Sequence, residues 1–147
     1  DSDDYWQGDG ALAELVRGRS DAVAWAVRLT AYVYATVYSA LDVISGIAAG
    51  YVTHELGAGV PRPDEVRLLF RIGTPLGEIG SGALIACASV LVFDQLARRR
   101  ALPVLLLVPG AVLVHVDHIF SPYGAAGMLL IGVGIAGTAR WRVHPGG

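Results

Sequence analysis

Four apolar stretches, each close to the roughly 20 residues that an α-helix needs to cross a bilayer core, dominate this chain. They cover residues 29–52, 75–97, 101–120 and 123–139, and most ionisable residues gather between them. The pattern predicts an all-α, four-helix transmembrane bundle with spans at about 22–52, 75–97, 101–120 and 123–140. Four such spans use most of the length, so residues 1–147 read as a single transmembrane domain.

Composition agrees with that reading. Charged residues make up 16% of the chain, against about 25% in a typical soluble domain, and mean hydropathy is +0.53. A net charge of −2 gives no footprint for a nucleic-acid partner. Every cationic side chain is arginine, and asparagine is also missing. We read this as the codon bias of a GC-rich genome and expect a prokaryotic cell membrane. The only cysteine, Cys87, lies mid-span and offers neither a disulfide framework nor a thiolate metal cluster.

Residues 1–19 form an acidic, partly interfacial segment, with Tyr5 and Trp6 suited to the headgroup level. Nothing in the first twenty residues has the basic and apolar regions of a signal peptide. ALAELVRG (11–18) suggests a short interfacial helix, and Ser20-Asp21 an N-cap for the first long one. After a Gly- and Pro-rich loop (53–63), Pro63-Asp64-Glu65 is a good helix start, and DEVRLLFRIG predicts a short amphipathic helix lying on the membrane surface. Thr74-Pro75 then opens the second span. Pro109-Gly110 should kink the third, and Ser121-Pro122 should turn the chain into a glycine-rich fourth.

Arginine placement sets an orientation. With the N- and C-termini cytoplasmic, Arg17, Arg19, Arg28, Arg98–Arg100, Arg140 and Arg142 all fall inside, leaving Arg62, Arg67 and Arg71 outside.

Chemistry is sparse. Asp42 lies within the first span, and a carboxylate at a helix centre costs about 2.5–3.5 kcal/mol on insertion scales, so it should turn toward protein. Tyr38 is one turn away, a natural partner on the same face. Glu78, sharing a face with Ser81 and Gly82, should also look inward. His115 and His118 are three apart and should share one face of the third span. His115, His118, Glu78 and the loop residue His54 would then converge as candidate ligands for a divalent metal such as zinc, the candidate cofactor. Their arrangement is not the H-E-x-x-H of zinc hydrolases. There is no P-loop, no dinucleotide fingerprint and no G-x-S-x-G elbow.

YSALDVISGIAAG (38–50), RIGTPLGEIGSGALIACASV (71–90) and HIFSPYGAAGMLLIGVGIAG (118–137) together resemble small, uncharacterised four-span integral membrane proteins. Those carry an L-D-x-x-[ST]-like motif in the first span and an aromatic-x-P-x-G-like turn before the fourth. The likeness covers about residues 29–140 and implies a four-helix fold with both ends inside, but no activity.

The expected function is a non-enzymatic accessory or structural subunit of a larger membrane assembly, in contact with lipid and with other membrane chains or a second copy. The alternative is a small metal-ion or proton-linked binder or transporter built on Asp42, Glu78, His115 and His118. A membrane enzyme ranks behind both, since no nucleophile-and-base pair can be named in the sequence.

Overall fold

The computed structural model describes residues 11–57, 60–61, 63–98, 102–118 and 122–143. The acidic opening, Tyr5, Trp6, Arg62, Arg99, Arg100 and Ser121 lie outside them, as do the side chains of Trp141 and Arg142. Every regular element among the described residues is helical. A single turn, α1 (Ala11–Glu14), precedes four rods: α2 (Ala22–Leu56), α3 (Asp64–Ala97), α4 (Leu102–Asp117) and α5 (Tyr123–Val143). Two of them, α2 and α3, are long and apolar enough to cross a membrane, and α4 is apolar but shorter.

Local chemistry accounts for most helix ends. Asp21 caps α2 in an extended conformation, its Oδ1 accepting from the Ala24 N–H at 2.9 Å. Gly57, with φ of +83°, stops the same helix. α2 is not uniform: residues Asp42–Ala48 form a π-helical segment between two α-helical parts. Such wide turns are rare and often mark functional sites.

One expectation about proline is corrected. No separate surface helix precedes Pro75, because α3 runs unbroken from Asp64 to Ala97 with Pro75 inside it. Thr74 Oγ1 donates to the Phe70 carbonyl at 2.8 Å, satisfying backbone beside the bond that proline removes. Gly73 and Gly77 on either side press against α2, so packing favours continuing the helix. Around Pro109 the helix changes type. α4 opens as a 3₁₀ segment, Leu102–Leu106, and turns α-helical only at Leu107. Pro109 therefore falls in the first α-helical turn, directly after the 3₁₀ segment.

The rods pack in chain order, α2 on α3, α3 on α4 and α4 on α5. Each pair is antiparallel. Gly73 meets Ser45, Gly77 meets Leu41 and Gly80 meets Tyr38, so one helix descends as the other climbs. Between α4 and α5 the backbones nearly touch: a Cβ built at Gly127 would lie 2.6 Å from the Gly110 carbonyl oxygen. The core that results includes Val27, Tyr38, Leu84, Leu91, Leu107, Val114 and Ile131. Leu12, Leu15 and Val16, from α1 and the turn after it, are buried in that same core.

The edge between α2 and α5 is not closed. An apolar cavity of about 280 Å³ separates them, lined by Ala31 and Tyr34 of α2, Leu84 of α3, and Met128, Ile131 and Gly132 of α5.

Candidate functional site

Asp42, Tyr38 and His118 come together at the α2–α3–α4 junction. Tyr38 is buried, its ring tilted against Tyr34 with centroids 5.2 Å apart. Its hydroxyl approaches His118 Nδ1 at 3.5 Å, and the two ring centroids are 6.2 Å apart. Asp42 begins the π-helical segment and is exposed on the single chain. It lines a cavity of about 250 Å³ together with Tyr38, Ser45, Phe70, Thr74 and His118.

His118 reaches this cavity by leaving its helix. α4 ends at Asp117, and His118 adopts φ of 50° and ψ of −128°, a conformation that glycine accepts and other residues resist. The pairing expected of His115 and His118 assumed three residues of continuous helix, and that assumption fails at this kink. The imidazoles diverge instead. His118 swings over Gly77 toward Tyr38, while His115 places Nδ1 2.7 Å from Ser81 Oγ. Ser81 also lies 2.6 Å from the Gly77 carbonyl. That short bond takes the hydroxyl proton, which assigns the N–H of the contact to His115.

Ser81 and His115 are a serine–imidazole pair that a separation of 34 positions hid in the sequence. Ser81 is wholly buried and bonds the Gly77 carbonyl as well as His115, so the pair ties α3 to α4.

Glu78 is exposed, at variance with the expected inward position. The buried face of α3 runs through Gly73, Gly77, Gly80, Ser81, Leu84 and Ala88. Glu78, Gly82 and Ala86 form a parallel line outside it. His54 is exposed near the end of α2. No group of three His, Cys, Asp or Glu side chains gathers among the described residues. His115, His118, Glu78 and His54 accordingly do not assemble a metal centre here.

A second polar cluster was missed in the sequence. Asp94, buried near the end of α3, takes Arg19 in a fork, with Nη1 to Oδ2 at 2.7 Å and Nη2 to Oδ1 at 3.1 Å. Arg98 Nε adds a bond to Asp94 Oδ1 at 2.9 Å, and Arg19 also reaches Asp21 Oδ2 at 2.7 Å. Arg28 closes the group by donating to the Arg19 carbonyl at 2.7 Å. Hydrogen bonds to Asp94 and then Asp21 hold the Arg19 guanidinium above its ordinary range. The Ala24 N–H, then Arg19, hold the Asp21 carboxyl below its own. The i,i+4 spacing of Asp94 and Arg98 was the available signal.

Comparison with known families, with curated proteins and with solved structures gives no match. The geometry offers a mostly apolar groove bordered by Asp42 and an open apolar edge between α2 and α5. An arginine–aspartate clasp locks the opposite end.

Proposed function

We propose that the chain is a four-span protein of a prokaryotic cell membrane, with both ends cytoplasmic, and that it serves as a non-enzymatic subunit of a larger membrane assembly. The observation that carries this reading is the open α2–α5 edge. Only 11% of the most apolar stretch of α2 is buried, and Trp25, Leu29, Tyr32, Ile47 and Tyr51 are all exposed along the helix. In water such a surface would be heavily disfavoured; lipid and a neighbouring helix together would cover it. The cavity facing Gly132, where a Cβ would meet nothing within 4 Å, leaves room for a side chain from that neighbour. The arginines Arg19, Arg28 and Arg98 gather at one end of the α2–α3 pair, in keeping with a cytoplasmic face. The likeness to small four-span membrane proteins at residues 38–50 and 71–90 points the same way.

The test is extraction of the native protein in mild detergent, followed by native mass spectrometry. Defined complexes, with a second copy or other chains, are expected. A stable lone monomer would contradict the subunit reading.

A further inference from the structure

We propose that the groove at Asp42 is a binding site for a small organic ammonium ion with an apolar substituent. The inference does not depend on the subunit reading, because this groove lies at a different level from the open α2–α5 edge and shares no lining residue with it.

The hydrogen-bonding capacity around the groove leans toward acceptors. Asp42 brings a carboxylate, which when ionised only accepts. Thr74 gives its hydroxyl proton to the Phe70 carbonyl at 2.8 Å, and Ser45 turns its own toward the Leu69 carbonyl at 3.4 Å. Both hydroxyl protons are therefore turned to backbone, which leaves these oxygens as acceptors. No arginine lines the cavity, and none pairs with Asp42 among the described residues. Tyr38 and His118 are engaged with each other, which leaves the Asp42 carboxylate without a cationic side chain to answer it, and an ammonium brings it three donors and a positive charge.

The aromatic lining favours the same charge. Tyr38 and Phe70 both border the cavity, and ring faces attract cations within about 6 Å. A neutral alcohol of the same shape would leave the carboxylate without a counter-charge in an apolar surrounding, which is costly.

A bare divalent ion fits less well. Asp42 and His118 are the lining residues with metal-ligating side chains of the carboxylate or imidazole kind, whereas a zinc site takes three or four. The volume of about 250 Å³ also suits a small organic molecule more than an ion. Leu41 and Phe70 supply the apolar wall for its substituent. The π-helical segment that starts at Asp42 carries both Asp42 and Ser45 into the lining, so the unusual backbone and the acceptors coincide.

The experiment is titration calorimetry on the purified full chain in nanodiscs at pH 7, with phenethylammonium as probe and phenethyl alcohol as its neutral counterpart. Saturable binding of the amine is expected, at least about tenfold tighter than the alcohol, since a charge-assisted hydrogen bond is worth that much. Asp42→Asn should weaken the amine about tenfold or more and leave the alcohol unchanged. Thr74→Val, which spares the carboxylate, should weaken it a few-fold. Absence of amine binding to the native chain, or equal affinity for amine and alcohol, overturns the proposal whatever the variants do. An Asp42→Asn protein that keeps its melting temperature and binds the amine as before overturns it as well.

Discussion

Arg19 and Asp94 stand 75 positions apart in sequence and meet in a two-pronged ion pair, 2.7 and 3.1 Å. The pair pins the segment before α2 onto the far end of α3. The side chain of Asp94 is 6% exposed and that of Arg19 18%. Removing one partner strands the other charge in a poorly solvated place. Arg19→Met should therefore cost about 2–4 kcal/mol, at or somewhat below the range for buried pairs because Arg19 keeps some water. Arg19→Met combined with Asp94→Leu should recover part of the loss. Unfolding titrations of the single and double variants check both statements.

The close approach of α4 and α5 predicts a contrast between two glycines of one helix. An added methyl at Gly127 meets the Gly110 carbonyl at 2.6 Å, and backbone cannot step aside as a side chain can. Gly127→Ala should destabilise by about 1–3 kcal/mol, the usual cost of overpacking. Gly132→Ala, where a Cβ meets nothing within 4 Å, should be neutral or mildly stabilising. Melting temperatures of the two variants, measured side by side, decide it.

His118 sits in a backbone conformation that disfavours any side chain, with φ of 50°. Its ring also makes contacts, with Tyr38 and over Gly77. His118→Ala loses the contacts and keeps the strain, whereas His118→Gly loses the contacts and relieves it. The glycine variant should be the more stable by about 1–3 kcal/mol. Equal stability, compared by thermal unfolding, would show that the kink carries no strain.

Asp21 gives a dependence on pH. Its carboxyl is held below the ordinary value by the Ala24 N–H and by Arg19. A folded-state pKa below the unfolded one means that the unfolded chain binds the proton more readily. The stabilisation is fully present above the unfolded value of about 3.9 and is lost as pH falls through the folded value. Stability of the native chain should decline in that acid window more steeply than that of Asp21→Ala. Thermal melts across the acid range measure the difference.

How much of this was legible in the sequence follows from the range of the interactions involved. The helices could be read from apolar runs, and the start of α2 from Asp21, because both signals are local. The continuity of α3 through Pro75 was not legible, since glycine contacts with α2 override the local preference. The divergence of His115 and His118 depends on one residue leaving the helix, which no periodicity announces. The shared face of Tyr38 and Asp42 is a local signal, whereas the arrival of His118 beside them from α4 is not. Glu78 stands apart because the packed face of α3 is defined by its glycines and not by its polar residues, and His54 because it lies exposed near the end of α2. The Arg19–Asp94 pair joins two segments that nothing in either one relates to the other.

The proposed membrane topology is tested most directly by cysteine labelling in intact cells. In a Cys87→Ala background, Gly57→Cys lies just beyond the end of α2 and Ala97→Cys at the end of α3. With both termini cytoplasmic, a membrane-impermeant maleimide should label Gly57→Cys in whole cells and Ala97→Cys only after the membrane is permeabilised. Equal labelling of the two positions in intact cells, or recovery of the chain in the soluble fraction, would contradict the account.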